Sequence, residues 1–193
     1  MKQIGDNPVD FSVPPAETIA RYVSRDPQQV DFLRFYARHY NDIGACCFVS
    51  AWADVQKTVL AGFVTFSPCL LTVKQQGALV VRHGGIYDIP SHMPCWLIGQ
   101  LSRDSRVSPS GLGRDLLLLA ICEIVQRAEN GAGGLIVIDV VTKALISYYE
   151  SCGFVPLYPQ PENWIPRNGA LRMYMTMSAA RQIAEAIRSV VGA

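Results

Sequence analysis

A strand, a pair of glycines and a long apolar helix follow one another in the middle of the chain. Residues 95–101 are typical of a buried strand, Gly111 and Gly113 precede a helix predicted at 114–130, and residues 135–140 form a continuous β-branched run. A strand, a helix and a second buried strand in this order indicate a crossover between parallel strands of one sheet. The chain is therefore predicted to be a mixed α/β protein.

Helices and hairpin strands are predicted on both sides of this segment. We expect one domain at residues 16–177, with a central mixed, mostly antiparallel sheet flanked by helices, after an irregular lead at 1–15 and before a helix at 178–193 packed on or extending from it. Before this segment we predict helices from Ala16 and over 29–40, closed at Gly44, and strands 45–52 and 58–67 around a turn at 53–56. Strand-like residues 70–81 and a loop at 82–94 follow. After the segment we predict a short helix from Thr142 to 151, strands 154–158 and 171–177, and a helix 179–191 capped by Ser178.

Composition narrows the class of protein. Half of the 193 residues are hydrophobic and 17% are charged, which is typical of a folded domain. The net charge of +1 excludes a protein that coats nucleic acid by charge alone. The longest aliphatic run, 116–121, is too short to span a bilayer, and the first residues lack the apolar segment of a signal peptide. We therefore expect a cytoplasmic protein without membrane contact.

The six cysteines show no metal-binding or disulfide pattern. No Cys-x-x-Cys pair occurs, and His39, His83 and His92 have no ligand spacing to the cysteines. Adjacent Cys46 and Cys47 lie in an apolar stretch. The prediction is reduced thiols packed as small hydrophobic side chains, and no metal site.

The glycine pair is suited to binding an anion. Glycine lets a backbone approach a ligand closely, and the first amides of a helix are free and lie at the positive end of its dipole. The segment is neither a Walker loop nor a dinucleotide fingerprint, because no Lys-Ser or Lys-Thr follows Gly113 and the first glycine of the fingerprint is missing. Spacing alone leaves a phosphate site and a plain glycine-containing helix entry open.

The same residues resemble the central motif of the GNAT superfamily of N-acetyltransferases, a strand followed by Gln/Arg-x-x-Gly-x-Gly/Ala. That resemblance implies a single GNAT-like domain that binds acetyl-coenzyme A as cosubstrate, with the pyrophosphate on backbone amides. Ser108 replaces the family's Gln or Arg, and Pro109 removes one donor, so nearby Arg103, Arg106 and Arg114 are expected to add charge. The implied cofactor-binding residues are Leu101, Ser102, Arg103, Ser108, Ser110, Gly111, Leu112, Gly113 and Arg114.

A second segment, 144–154, resembles the family's Ala-x-x-(Phe/Tyr)-Tyr-x-x-x-Gly-Phe. The resemblance assigns Tyr149 as the catalytic residue that donates a proton to the departing thiolate. A phenol with a pKa near 10 is protonated at neutral pH and suits that role. Core packing is the alternative for a Tyr-Tyr pair alone. Backbone amides of 101–103 are expected to stabilise the oxyanion.

Within the superfamily, the chain is most similar to tRNA-acetylating toxins of bacterial toxin–antitoxin pairs. The resemblance implies acetylation of the α-amine of aminoacyl-tRNA, which blocks translation, inhibition by a small DNA-binding antitoxin, and a homodimer. An RNA acceptor favours a basic face, for which Arg21, Arg25, Arg34 and Arg38 are candidates, the alternative being a solvated helix face. The resembling residues are 89–94, 97–104, 111–117 and 127–130, whereas residues 1–44 and the insert 158–170 do not match closely.

Two other functions remain open. The first is an acetyltransferase with the same core that acts on a small-molecule or protein amine. The second is a module that binds coenzyme A or a partner without turnover. No carboxylate is evident as a dedicated base, since Asp104 and Glu123 are expected on the solvated surface. An α-amine with a pKa near 8 is partly neutral and needs less help from a base than a lysine does.

Overall fold

The computed structural model describes residues 3–4, 7–72, 92–107, 110–128, 133–157 and 170–191. The chain forms two compact units. The first comprises Met1–Ser67 and Ile98–Glu123, and the second comprises Pro68–Leu97 and Ile124–Ala193. Two long strands, β4 (Leu60–Thr72) and β5 (His92–Arg103), contribute residues to both units.

The first unit contains strands β1 (Gln3–Ile4), β2 (Asn7–Asp10) and β3 (Cys47–Trp52). Together with the two long strands, they follow the order β1-β2-β3-β4-β5 in the sheet. Strands β1 to β4 pair antiparallel, with Val49 opposite Val64. The turn between β3 and β4 closes because the Asp54 carboxylate accepts hydrogen bonds from the amides of Thr58 and Val59.

An almost continuous helical segment covers β3 and β4 in the first unit. After α1 (Ala16–Arg21), it consists of α2 (Pro27–Asp31), a π-helical turn (Phe32–Tyr36) and α3 (Ala37–Asp42). The α2 helix begins where the Asp26 side chain accepts the amide of Gln28, with Pro27 in its first turn. Its core contacts are aromatic and aliphatic, and the buried cluster comprises Ile19, Tyr22, Leu33, Ala37, Phe48, Trp52, Leu60 and Phe63.

Helix α4 (Leu112–Ala128) follows β5, and strand β6 (Leu135–Val140) then lies beside β5 in the second unit. The strand order there is β4-β5-β6-β8-β7, where β7 is Val155–Pro156 and β8 is Leu171–Thr176. Strand β8 is antiparallel to both β6 and β7. Helices α5 (Ala144–Ser151) and α6 (Met177–Val191) complete the unit, whose buried cluster is Leu71, Cys95, Leu135, Val137, Leu157 and Tyr174.

The predicted class, a mixed α/β fold with a mostly antiparallel sheet flanked by helices, is confirmed. The single domain at 16–177 stays a prediction, since the chain forms the two units above. The lead at 1–15 is not irregular, because it contains β1 and β2. The expectations for residues 73–91 and 158–169 lie outside the described residues.

Three predicted helix starts are wrong in detail. Helix α4 begins at Leu112, not 114, so Gly113 lies within its first turn. Helix α5 begins after Lys143 without a side-chain cap from Thr142. Helix α6 is capped by Thr176 and not Ser178, since the Ala179 amide donates to Thr176 Oγ1 at 3.2 Å. Within the described part of the chain, no helix is both long enough and apolar enough to cross a bilayer.

Candidate functional site

The glycine turn opens helix α4 with exposed backbone. Gly111 has φ +89° and its carbonyl accepts the amides of Arg114 at 2.8 Å and Asp115 at 3.1 Å. The amides of Leu112 and Gly113 are the first two of the helix, and no backbone acceptor for them is found among the described residues. Among the described residues, a Cβ on Gly111 would meet nothing closer than Asp115 Oδ2 at 3.9 Å, which leaves space beside Gly111.

The predicted residues of this turn contribute differently. Leu112 is fully buried, its backbone included, and Gly113 is half-buried. Ser110 and Arg114 are exposed. Ser108 lies outside the described residues, so its predicted role stays a prediction. A 17-residue helix directs its positive dipole end at this turn, which suits a phosphate group.

The end of strand β5 is held tightly against β4. Gly62 lies so close that a Cβ there would be 2.7 Å from the Ser102 carbonyl oxygen and 3.3 Å from Arg103 Cα. The amide of Asp104 donates to the Ala61 carbonyl at 2.7 Å. The backbone of the predicted segment 101–103 is therefore fixed by its neighbouring strand, with Leu101 half-buried and Arg103 exposed.

The Ser102 side chain belongs to a buried hydroxyl network. Tyr22 Oη donates to Ser102 Oγ at 2.8 Å, and Ser102 Oγ donates to Ser24 Oγ at 3.1 Å. Burial raises the pKa of Tyr22, so this phenol stays protonated. Only the backbone of Ser102 is then left for a ligand. Sequence reasoning missed Tyr22, which lies in the connection between α1 and α2 and belongs to no recognisable sequence motif.

Asp104 and Glu123 are buried, which contradicts the expectation of surface acids. The Asp104 side chain is 1% exposed and accepts hydrogen bonds from the Val23 amide at 3.0 Å and from Arg106 Nη2 at 2.9 Å. Burial would raise the pKa of Asp104, but the hydrogen bonds from Arg106 and Val23 lower it below its usual value.

Arg106 is committed to this carboxylate. Besides the ion pair with Asp104, its guanidinium donates to the Arg21 carbonyl. The charge expected to help bind phosphate is therefore largely neutralised, and Asp104 acts as an anchor of the chain that follows β5. Of the three arginines considered near the turn, Arg114 is exposed at the start of α4 itself.

Tyr149 lies on α5 with 7% of its surface exposed. Its ring makes edge-on contacts with Tyr148 at 5.0 Å and with Phe154 at 6.1 Å between centroids. Burial, together with the nearby Tyr148 and Cys152, raises the pKa of Tyr149, so the phenol holds its proton across the neutral range.

The Gly153-Phe154 dipeptide explains how Tyr149 is positioned. Gly153 has φ +90°, its amide donates to the Glu150 carbonyl, and the Phe154 amide donates to the Tyr149 carbonyl at 3.0 Å. This is a Schellman motif, which needs a residue free to adopt positive φ at Gly153. The motif turns the chain so that the buried Phe154 ring packs on Tyr149.

The predicted basic stripe is only partly assembled. Arg34 and Arg38 line an open groove of about 610 Å³ on the helical segment of the first unit, together with His39 and Asp42. Arg21 and Arg25 are exposed but do not line this groove. Arg38 also donates to the Pro14 carbonyl at 3.1 Å, which fixes its position.

Exposed aromatic rings lie on the same helical segment, and one of them, Phe35, lines the groove. Phe35, Tyr36 and Tyr40 are 70%, 51% and 41% exposed, and Tyr36 contacts Tyr40 at 6.1 Å between ring centroids. They project from the π-helical turn and the helix after it, and such turns occur often at functional sites. We call Arg34, Phe35, Tyr36, Arg38 and Tyr40 the aromatic-arginine face.

Within the described ranges, no group of three or more histidine, cysteine or acidic side chains is arranged to hold a metal ion. All six cysteines are free thiols. Cys95 and Cys152 are buried and the other four are half-buried.

Solved structures of bacterial toxins share this architecture. A protein described as a bacterial toxin is 19% identical, with a TM-score of 0.72 and 94% of each chain covered. The toxin AtaT in complex with acetyl-methionyl-tRNAfMet is 12% identical with a TM-score of 0.71, covering 92% of this chain and 99% of the other. A tyrosine-to-phenylalanine variant of AtaT, bound to acetyl-CoA and the C-terminus of the antitoxin AtaR, is 12% identical with a TM-score of 0.69, covering 92% and 98%.

No protein-family profile matches the sequence. At identities of 12% and 19%, the likeness to these structures establishes the fold. The predicted GNAT-like architecture is thus confirmed, and the chain has the fold of AtaT-type bacterial toxins.

Proposed function

We propose that this chain is an acetyl-coenzyme A-dependent N-acetyltransferase whose acceptor is the α-amine of aminoacyl-tRNA, and that it acts as a toxin by blocking translation. The observation that carries the proposal is the open glycine turn at the start of α4, within a fold shared with a toxin solved with acetyl-CoA. A relative in fold solved with acetyl-methionyl-tRNAfMet supports the acceptor class.

The pyrophosphate of the cosubstrate is proposed to bind the amides of Leu112 and Gly113. Gly111 supplies the positive φ of the turn that leads to these amides, and among the described residues a Cβ on Gly111 would meet only Asp115 Oδ2, at 3.9 Å. Arg114 offers a charge-assisted contact that offsets the loss of the family's Gln or Arg at Ser108. Ser110 completes the turn as an exposed hydroxyl.

The acyl transfer follows from the remaining residues. Acetyl-coenzyme A supplies a thioester whose carbonyl carbon is attacked by a neutral amine, and the coenzyme A thiolate leaves. The amides of residues 101–103, held rigid by β4, stabilise charge on the carbonyl oxygen. Tyr149, a phenol protonated at neutral pH, is assigned as the group that gives its proton to the thiolate.

The state of Asp104 favours an α-amine over a lysine as acceptor. Its carboxylate already accepts hydrogen bonds from Arg106 and Val23, and its lowered pKa makes it a poor base. An acceptor with a pKa near 8 is partly neutral without a strong base, whereas a lysine near 10.4 is not. Aminoacyl-tRNA carries such an α-amine.

The aromatic-arginine face suits the RNA part of this acceptor. Exposed aromatic rings stack with unpaired bases, and arginines bind the phosphate backbone. Arg34 and Arg38 provide positive charge in the groove and Phe35 provides a ring there. Tyr36 and Tyr40 add exposed rings on the same helical segment. This local surface offers RNA a binding site even though the net charge of the chain is only +1.

The decisive experiment follows labelled acetyl transfer to charged and to uncharged tRNA. We expect transfer only to charged tRNA, and Tyr149→Phe should lower turnover by about 10² to 10⁴-fold with little loss of acetyl-coenzyme A affinity. Tyr148→Phe removes the neighbouring phenol and serves as the matched control. Full turnover by Tyr149→Phe would remove Tyr149 from the mechanism.

Cofactor binding is tested separately by calorimetric titration of acetyl-coenzyme A. Gly111→Val places a β-branched residue at φ +89°, beside the predicted phosphate position, and should abolish binding. Gly44→Val is the control, because Gly44 has a similar φ of +70° with nothing within 4 Å, and it should bind normally. Normal titration by Gly111→Val would refute the placement of the pyrophosphate.

A small-molecule or protein amine is the alternative acceptor, favoured by the low net charge. Expression in a bacterial host separates the two, because only the toxin should arrest growth, and Tyr149→Phe should relieve the arrest. Binding of acetyl-coenzyme A without turnover on any amine would instead indicate a non-catalytic module. The cytoplasmic location, the homodimer and a small DNA-binding antitoxin belong to the same proposal.

A further inference from the structure

Two thiols of the second unit lie unusually close together. Cys69 on β4 and Cys95 on β5 have Sγ atoms 3.1 Å apart. An S–S bond is about 2.05 Å long, so the two sulfurs are already within about 1 Å of bonding distance. The two residues are 26 positions apart in sequence and belong to no motif that the sequence analysis recognised.

The two thiols differ in exposure. Cys95 is 2% exposed and lies in the buried cluster of the second unit, whereas Cys69 is half-buried at its margin. A small oxidant in solution therefore reaches Cys69 first. Cys95 is placed behind it as the nearest partner.

The charges around the pair also separate the two thiols. The hydrogen bond with Cys95 lowers the pKa of Cys69, and the positive charge of Arg172 lowers it further, against the opposing effects of burial and Asp139. The same contact and burial raise the pKa of Cys95. Arg172 is itself fixed by two hydrogen bonds of 2.7 Å to Asp139. Because Cys69 is also the more exposed of the two thiols, it is assigned as the reacting thiol and Cys95 as its partner.

We propose that Cys69 and Cys95 form a reversible oxidation site for hydrogen peroxide, with Cys69 as the reacting thiolate and Cys95 as the resolving thiol. The Cys69 thiolate attacks one peroxide oxygen, the O–O bond breaks, and Cys69 sulfenic acid and hydroxide form. Cys95 loses its proton to that hydroxide and attacks the Cys69 sulfur, which releases a second hydroxide from the sulfenic acid. A proton from solvent converts it to water. The two thiols are oxidised to one disulfide and the peroxide is reduced to water.

The consequence is a covalent link between β4 and β5. These strands are neighbours in the sheet, and the bond would close a ring around residues 70–94 of the chain. The proposal depends on the thiol geometry and not on acetyltransferase activity. A negative result for one therefore leaves the other unaffected.

The test is peroxide treatment of the native, fully reduced chain, followed by thiol titration and peptide mass mapping. We expect the count of titratable thiols to fall from six to four, a disulfide-linked peptide containing Cys69 and Cys95, and full recovery with dithiothreitol. In Cys95→Ser, Cys69 should accumulate as a sulfenic acid that dimedone traps.

Cys46→Ser provides the control. Cys46 is half-buried like Cys69, but burial and the adjacent Cys47 raise the pKa of Cys46. This variant should still lose two thiols to the Cys69–Cys95 link. Preferential oxidation of Cys46 or Cys47, or oxidation of Cys69 that leaves Cys95 unlinked, would overturn the proposal.

Discussion

Replacing Gly62 with alanine should disturb the predicted acyl-transfer backbone without touching any ligand. The added methyl carbon would lie 2.7 Å from the Ser102 carbonyl oxygen and 3.0 Å from Leu116 Cδ1. Leu116 is a side-chain end that can move, but the Ser102 oxygen belongs to the backbone of β5. The end of β5 must therefore shift by several tenths of an ångström to relieve the contact.

The expected cost follows from overpacking a tight core. Inserting a methyl group into a packed interior typically destabilises a protein by about 1–3 kcal/mol. For a chain of this size, that lowers the melting temperature by roughly 2–12 °C. Because displacements of about 1 Å at a reacting centre can reduce rates 10²-fold, we expect turnover to fall more than folded-state stability alone explains.

The assay combines thermal denaturation with acetyl-transfer kinetics at a temperature where the variant is fully folded. Gly134→Ala is the matched control, because a methyl group there meets nothing closer than Met93 Sδ at 4.0 Å. It should keep both the melting temperature and turnover. Gly62→Ala with wild-type stability and turnover would show that the close approach of β4 to Ser102 does not constrain this backbone.

Two further predictions concern Asp104 and Arg34. The folded-state pKa of Asp104 is lowered, so its contribution to stability is present above about pH 4 and is lost as pH falls through the folded pKa. Asp104→Asn should therefore destabilise the protein at pH 7, by about 1–3 kcal/mol in denaturant unfolding, and the deficit should shrink toward acid pH. A deficit independent of pH would contradict this assignment. Arg34→Ala should weaken tRNA binding and reduce the slope of log affinity against log salt by about 1, whereas Arg181→Ala, an exposed arginine on α6, should change neither. Equal losses in both variants would indicate binding without a defined surface.

Periodicity and turn chemistry were enough to predict most elements of this fold. The buried run at β6, the hairpin of β3 and β4, and the glycine-closed helix ends all have local causes. The glycine pair predicts a start of α4 that is two residues too late, because positive φ is needed only at Gly111 and Gly113 is helical.

The contacts that sequence reasoning missed connect distant parts of the chain. Tyr22 is hydrogen-bonded to Ser102, which is 80 positions away in the sequence, and Val23 is hydrogen-bonded to Asp104, which is 81 positions away. An acidic residue after a strand is exposed by default, so only the fold reveals that Asp104 is enclosed by Val23 and Arg106. The Cys69–Cys95 proximity likewise depends on strands that lie side by side in the sheet and not on spacing.

The π-helical turn at Phe32–Tyr36 bears on how this helix tolerates changes in length. A π-turn accommodates one residue more than the α-helical turn that would replace it. It therefore marks a point where the chain can lose one residue without breaking the helix. Such a deletion would leave ordinary α-helical bonding and keep the helix on either side of the turn in its present orientation. Arg38 and Tyr40 would therefore keep their directions, whereas deleting one residue from a regular part of the helix would turn every side chain after it by about 100°.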